Sequence, residues 1–127
     1  MLSTAPEKRK STRAPKSEKR LKPRVPIEDV TVEVYASDGR PDKPEVCDIL
    51  NLSEGGLLFR CLNQYELSQL VRLTFVVPQT LVIVRTDAQV VHTYHADSDK
   101  YVGARFLRLD VSERNCIDRF VRWKQSN

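Results

Sequence analysis

Four residues in the middle of the chain carry groups that could bind a ligand: Asn51, Ser53, Gly55 and Gly56. The amide and the hydroxyl are small polar groups that can both donate and accept hydrogen bonds. The two glycines permit a positive φ and leave room for a ligand to approach the backbone. The stretch also has the composition of a β-hairpin turn between two apolar runs, and by itself it favours the turn.

The spacing of Asn51 and Ser53 predicts how their side chains are oriented. On an extended backbone, side chains two positions apart point to the same side of a sheet. We therefore expect Asn51 and Ser53 to share one face, while Leu50 and Leu52 point the other way into a core. A flat polar ligand could lie against such a pair of hydrogen-bonding groups.

Two arginines four positions apart, Arg20 and Arg24, precede the first apolar run, and Pro23 stiffens the segment between them. Each guanidinium is a planar fork that matches a phosphate, or the O6/N7 edge of guanine, with two hydrogen bonds. A nucleotide with both phosphate and guanine would use both arginines. Arg9 and Arg13 have the same spacing, but they lie in low-complexity sequence, where basic pairs arise by chance.

The basic character of the chain is confined to its start. Residues 1–26 contain nine Lys or Arg and only two acidic residues, whereas the remainder has a small net negative charge. The segment has no aromatic residue and almost no apolar one, so it cannot bury enough surface to offset the entropy of ordering. We expect a flexible basic leader, which either contacts a polyanionic partner or is simply solvated.

The alternation of apolar and polar residues predicts mainly β-structure after the leader. The predicted strands cover about 30–35, 45–52, 56–61, 71–77, 81–94 (one long strand or two collinear ones) and 101–109. In the long strand, one face is expected to carry Ala88, Val90, His92 and Tyr94. Short strands joined by turns suggest a small antiparallel barrel, whose closure removes exposed edges.

The chain closes with a predicted helix. Asp110 or Ser112 can cap it, and the residues that follow form an apolar stripe at helical spacing: Cys116, Ile117, Phe120, Val121 and Trp123. We expect the helix to pack across one mouth or face of the barrel. At 127 residues the chain is long enough for one domain with a modest core.

No pattern in the sequence predicts catalysis, a metal site or a cofactor. His92 and His95 are three positions apart, so on a strand they point to opposite faces and cannot easily share a metal. The three cysteines are widely spaced, which favours buried thiols in a reducing compartment. No apolar run approaches the length of a membrane span. The sequence therefore predicts a cytoplasmic protein that is not an enzyme.

Two motifs, in this order along the chain, resemble those of the PilZ domain family: Arg20-x-x-x-Arg24 and Asn51-x-Ser53-x-x-Gly56. That family binds the bacterial second messenger cyclic di-GMP through RxxxR and [D/N]xSxxG motifs. The strand that ends at Pro78, the segment 102–106 and the terminal helix are also similar, so the resemblance covers roughly residues 19–125.

The resemblance implies an all-β fold: a six-stranded antiparallel PilZ-type β-barrel with a C-terminal α-helix. It implies a PilZ-like domain over residues 19–127, which includes the arginine motif. Residues 1–18 are then a flexible basic tail.

The resemblance also implies roles for the arginine motif. Arg20 and Arg24 would clamp guanine and phosphate from the leader. Lys19 directly precedes the motif and adds a further cation as a secondary ligand contact.

For the central turn, the resemblance implies that Asn51 and Ser53 bind a guanine edge from the barrel surface. Gly56 would keep the turn open, and Gly55 would be a secondary contact. Many members of the family have Asp where this chain has Asn51, so the group at this position is neutral here.

The function predicted from the resemblance is a single-domain cyclic di-GMP receptor. Ligand binding would order the arginine leader, and a separate protein of the motility, adhesion or regulatory machinery would recognise the new surface. Two alternatives remain at this point. One is a PilZ-like adaptor that works without ligand, and the other is a small nucleic-acid-binding barrel with a basic arm.

Overall fold

In the described part of the chain, seven β-strands and one helix are formed by the segments whose apolar residues alternate or recur at helical spacing. In the computed structural model, which describes residues 24–36 and 43–126, the strands are β1 (Val25–Pro26), β2 (Thr31–Ala36), β3 (Glu45–Leu52), β4 (Gly56–Cys61), β5 (Leu70–Val76), β6 (Ile83–Ala96) and β7 (Asp99–Phe106). Helix α1 (Val111–Gln125) follows. The predicted limits of β3 and β4 are confirmed.

Six of the strands close into a barrel. Every pairing is antiparallel, and the strand order is β3-β2-β5-β6-β7-β4, with β4 returning to pair with β3. The two-residue strand β1 pairs with the end of β3. The predicted fold, a six-stranded antiparallel barrel with a C-terminal helix, is confirmed. Because the barrel is closed, the strands in it leave no long unpaired edge.

The interior of the barrel is filled by one side of each strand. Val32 and Val34 on β2, and Leu73 and Phe75 on β5, are buried, while the residues between them lie nearer the solvent. This is the period of two that the sequence shows. The buried residues form one continuous core.

A β-bulge at Leu50 interrupts this period in β3. Ile49 pairs with Phe59, and the next pair joins Asn51 to Leu58, so Leu50 is an extra residue on β3. Ile49 and Leu52 are therefore the buried residues, and Leu50 is only half-buried. The expectation that Leu50 and Leu52 both point into the core is wrong for Leu50.

A second irregularity lies in β6, which is one strand of 14 residues. Its pairing with β7 shifts register between Val90 and His92. Ala88 and Val90 are buried, whereas every residue from 91 to 96 is exposed, because this part of the hairpin extends beyond the core. Because Val90 and His92 pair with adjacent residues of β7, they lie on opposite faces, and the prediction that Ala88, Val90, His92 and Tyr94 share one face is wrong.

Helix α1 begins with a capping box. The Asp110 carboxylate accepts a hydrogen bond from the Glu113 backbone N–H at 2.7 Å, and the Glu113 carboxylate accepts one from the Asp110 N–H at 3.1 Å. Of the two predicted caps, Asp110 is the one used. The helix buries most of its predicted stripe, and Trp123 remains 45% exposed.

Candidate functional site

Strand β1 brings the arginine motif to the central turn. Val25 pairs with Leu52 and Pro26 with Asn51, so the residue before β1, Arg24, reaches the point where β3 ends. The Arg24 Nη1 lies 3.5 Å from the Asn51 Oδ1, in a partly buried hydrogen bond. Two residues that are 27 positions apart in sequence thus share one corner of the barrel.

Ser53 closes the turn between β3 and β4. Its hydroxyl oxygen accepts hydrogen bonds from the Gly55 N–H at 3.1 Å and the Gly56 N–H at 3.2 Å. The Ser53 N–H donates to the Gly56 carbonyl at 2.9 Å. The side chain is only 2% exposed. Since β3 ends at Leu52, strand alternation does not extend to Ser53, whose hydroxyl points into the turn. The expectation that Ser53 shares an open face with Asn51 is therefore wrong.

Gly56 is required by the packing of β4 against β7. A Cβ at this position would lie 2.1 Å from the carbonyl oxygen of Ala104, and its other near neighbours are also backbone atoms. Backbone atoms of a closed barrel cannot move aside as the end of a flexible side chain can. The demand for glycine here is therefore steric, and no positive φ is involved.

The remaining predicted site residues fall in two groups. Gly55 lies in the turn, where its carbonyl accepts a 2.9 Å hydrogen bond from the Phe106 N–H. Arg20 and Lys19 lie outside the described residues, as does the alternative pair at positions 9 and 13. Within the described residues, the structure brings together Arg24, Asn51, Ser53, Gly55 and Gly56.

The surface beside Asn51 continues across three strands. Asn51 pairs with Leu58, Leu58 with Gly103, and Gly103 with His92. A Cβ at Gly103 would lie 2.5 Å from the His92 ring, so the ring lies over bare backbone. Sequence reasoning did not predict this row. A glycine inside a strand is a known sign of close approach, and Gly103 was the available signal.

Another cation on this side of the barrel is engaged by an acid. Arg60 Nη2 lies 2.6 Å from the Asp48 Oδ2, and this hydrogen bond raises the pKa of Arg60. Arg105 donates to the Gln89 side chain at 2.8 Å. The guanidinium that contacts Asn51 is that of Arg24.

Metal-ligand clusters, cysteines and apolar helices are the other features of the described residues that bear on the sequence predictions. They contain no group of three or more His, Cys, Asp or Glu residues placed to hold a metal. Cys47, Cys61 and Cys116 are free and buried, as predicted, and burial is the main cause that raises the pKa of Cys61 to about 11. Of the helices in the described part of the chain, none is long and apolar enough to span a membrane.

The family model of the PilZ domain matches residues 7–123 of this chain. No curated protein matches this chain. Solved structures with a similar fold include the Bacillus subtilis inhibitor of motility MotI/DgrA, with a TM-score of 0.73, 13% identity and 91% of this chain covered. The PilZ domain of Escherichia coli YcgR with c-di-GMP has a TM-score of 0.67, 12% identity and 85% coverage.

A third similar structure is the K. pneumonia MrkH–c-di-GMP complex, with a TM-score of 0.65, 12% identity and 81% of this chain covered. The chain spans 92% of the isolated YcgR domain. It spans 57% of the MotI chain and 50% of the MrkH chain, so it corresponds to about half of each of those proteins.

Proposed function

The chain belongs to the PilZ domain family, and we propose that it is a cytoplasmic, non-catalytic receptor for cyclic di-GMP. The observation that carries the proposal is the contact between Arg24, at the start of β1, and Asn51, at the end of β3. It joins the second arginine of the RxxxR motif to the first residue of the NxSxxG motif. Two solved structures of similar fold contain c-di-GMP, which supports the choice of ligand.

The proposed ligand contacts follow from the chemistry of the two motifs. The Arg24 guanidinium can donate two hydrogen bonds to a guanine O6/N7 edge or to a phosphate. The Asn51 amide beside it can donate to one guanine atom and accept from another. Arg20 precedes Arg24 by four residues and would supply the second fork, with Lys19 and Gly55 as secondary contacts.

Ser53 and Gly56 support the site chiefly by shaping the turn. The Ser53 hydroxyl already has three backbone partners within hydrogen-bond distance, at the Gly55 N–H, the Gly56 N–H and the Gly56 carbonyl. We propose that these contacts fix the backbone against which a guanine lies. The bare backbone at Gly103 and the half-buried Leu58 would extend the same flat surface.

The output of such a receptor must come from a change of surface. Bound ligand would hold residues 19–24 against the barrel, and the new combination of charge and shape would be recognised by a separate protein. The energy available for this step is the difference in ligand affinity between the two arrangements of that segment. Affinity should therefore depend strongly on the two arginines.

Isothermal titration calorimetry of cyclic di-GMP into the full chain tests the proposal. We expect Arg20→Ala and Arg24→Ala each to lose roughly 1–3 kcal/mol of binding free energy, by analogy with arginine–guanine contacts. Arg85→Ala is the matched control, because Arg85 is an exposed arginine on β6 at a different face of the barrel, and it should bind like the wild type.

Ser53→Ala separates the direct and the indirect role of that residue. If the hydroxyl acts by shaping the turn, the variant loses thermal stability together with affinity. Unchanged binding in both arginine variants would contradict the site assignment. No binding to the wild type would favour a ligand-independent adaptor, and steeply salt-dependent binding of any nucleic acid would favour the basic-armed barrel.

A further inference from the structure

A second concave surface lies between the β5–β6 hairpin and helix α1. This hairpin–helix groove has a cavity volume of about 400 Å³. Its walls are mostly apolar and include Pro78, Val82, Cys116, Phe120 and Trp123, with Arg119 at the edge. It shares no residue with the corner formed by Arg24 and Asn51, so it is a separate feature of the fold.

The hairpin beside the groove exposes an unusual amount of apolar surface. Leu81 is 97% exposed, and Ile83, on the strand that follows, is 50% exposed. Val76 pairs with Ile83 across the hairpin and is also exposed. Leu81 directly precedes Val82 of the groove, whereas Val76 and Ile83 line a different hollow of the barrel surface. The apolar walls of the groove, with Leu81 beside them, form the kind of exposed apolar surface that marks interaction sites in soluble proteins.

The hairpin is held in the conformation that exposes Leu81. The Thr80 hydroxyl donates to the Val77 carbonyl at 2.7 Å and accepts from the Val82 N–H at 3.0 Å. The Val77 N–H donates to the Val82 carbonyl at 3.0 Å, which closes the loop. Since these bonds already order the loop, a partner would meet a preorganised surface and would have little ordering entropy to offset.

The charges around the groove indicate which kind of partner segment it would bind. Arg119 makes no ion pair or hydrogen bond within residues 24–36 and 43–126, whereas Arg122, on the next turn of α1, pairs with Asp118 at 3.0 Å. Lys124 adds a further positive charge. The groove therefore presents a positive charge that an acidic side chain of a partner protein would complement. A carboxylate next to an apolar side chain fits both features.

We propose that the hairpin–helix groove binds a segment of a partner protein in which a leucine or aromatic residue adjoins an acidic one. The apolar side chain lies between Val82 and Trp123, and the carboxylate pairs with Arg119. The groove would give the partner of the proposed receptor a ligand-independent contact, separate from the surface that bound cyclic di-GMP would create. Binding to it is nevertheless measured without cyclic di-GMP, so its failure and the failure of the nucleotide site are distinguishable.

Selection of peptides from a random phage-displayed library against the immobilised full chain supplies the probe. We expect the enriched peptides to carry Asp or Glu next to Leu, Phe or Trp. Their affinities are then measured by fluorescence anisotropy with synthetic labelled copies. Arg119→Glu and Trp123→Ala should each weaken binding roughly tenfold or more. A peptide with Lys in place of its acid should recover binding to Arg119→Glu.

Two matched controls stand outside the groove. Arg114→Glu places the same charge change on the first turns of α1, and Leu62→Ser removes another leucine that is 81% exposed. Both should bind the peptides like the wild type, and circular dichroism checks that all four variants fold. The proposal is overturned if enriched peptides lack the acidic–apolar pair, if groove and control variants bind alike, or if light scattering shows self-association that Leu81→Ser abolishes.

Discussion

The two ends of the β3–β4 pair hold their polar groups in different ways. At one end, which we call the Glu45 end, the Glu45 carboxylate accepts hydrogen bonds from the Leu62 N–H at 2.6 Å and the Tyr65 hydroxyl at 2.8 Å. The Asn63 N–H is a third, longer donor at 3.4 Å. At the other, the Asn51 end, the contact between Arg24 and Asn51 measures 3.5 Å.

The difference separates a structural cluster from a site that can bind. At the Glu45 end, short hydrogen bonds from the Leu62 N–H and the Tyr65 hydroxyl engage both oxygens of the Glu45 carboxylate. These bonds fix the loop that follows β4. Burial and then the bond to Glu45 raise the pKa of Tyr65, so that it stays a neutral donor. At the Asn51 end, the contact is as long as a hydrogen bond can be, and a ligand could redirect it at small cost.

The largest effect on the free energy of unfolding is expected from Gly56→Ala, which disturbs the backbone that supports the Asn51 end. The new Cβ would overlap the Ala104 carbonyl oxygen, so β4 and β7 must separate. We expect a loss of about 3 kcal/mol or more in the free energy of unfolding, measured by urea denaturation. Gly55→Ala is the control at the neighbouring position. If Gly56→Ala unfolds at the same urea concentration as the wild type, the close approach of the strands is wrong.

A smaller loss in the free energy of unfolding is expected when the hydrogen bonds to Glu45 are weakened. Glu45→Gln removes the charge that the Leu62 N–H and the Tyr65 hydroxyl share, and bonds to charged groups contribute about 1.5–3 kcal/mol. We expect the free energy of unfolding to fall by roughly 2 kcal/mol, while affinity for cyclic di-GMP stays unchanged.

Glu66→Gln is the control for Glu45→Gln, because Glu66 is exposed in the same loop and its hydrogen bonds within the described residues, both with Gln69, come from its backbone and not from its carboxylate. It should unfold like the wild type. A ligand affinity that falls with Glu45→Gln, after correction for any unfolded fraction, would mean that the two ends are coupled. It would contradict the conclusion that the Glu45 end has only a structural role.

The smallest effect comes from the same change, asparagine to aspartate, made once at each end. It should alter the free energy of unfolding in opposite directions at the two ends. Asn51→Asp places a carboxylate beside Arg24, and Asn63→Asp places one on the residue whose backbone N–H donates to Glu45. We expect the first to raise and the second to lower the free energy of unfolding, each by about 0.5 kcal/mol, because both positions are partly solvated. Thermal melts at low and high salt measure the shifts, which salt should reduce. Shifts of equal sign would contradict the assignment of charge to the two ends.

The strands of the fold were predictable because their signal is local. The limits of β3 and β4 follow from the alternation of a few neighbouring residues and from the turn between them. The cap of α1 is likewise a short-range pattern, in which Asp110 and Glu113 are three positions apart. The bulges at Leu50 and in β6 were missed, because a bulge exists only relative to the partner strand.

The residues of the candidate site were named from the sequence, and their geometry was predictable only in part. The resemblance pointed to Asn51, Ser53 and Gly56, and the structure places them with Arg24. The resemblance did not reveal that the Ser53 hydroxyl points into the turn, or that the Ala104 carbonyl leaves room only for glycine at position 56. Both facts depend on atoms that the local pattern does not contain.

The sequence by itself determined the β-rich class, the terminal helix, the buried free cysteines and the family motifs, because these depend on composition and on short-range periodicity. The tertiary structure decided which distant groups meet: Arg24 with Asn51, Gly56 with Ala104, and the β5–β6 hairpin with α1. The physical reason is that barrel closure and strand register are properties of the whole chain. A shift of one residue would turn every side chain of a strand to the opposite face.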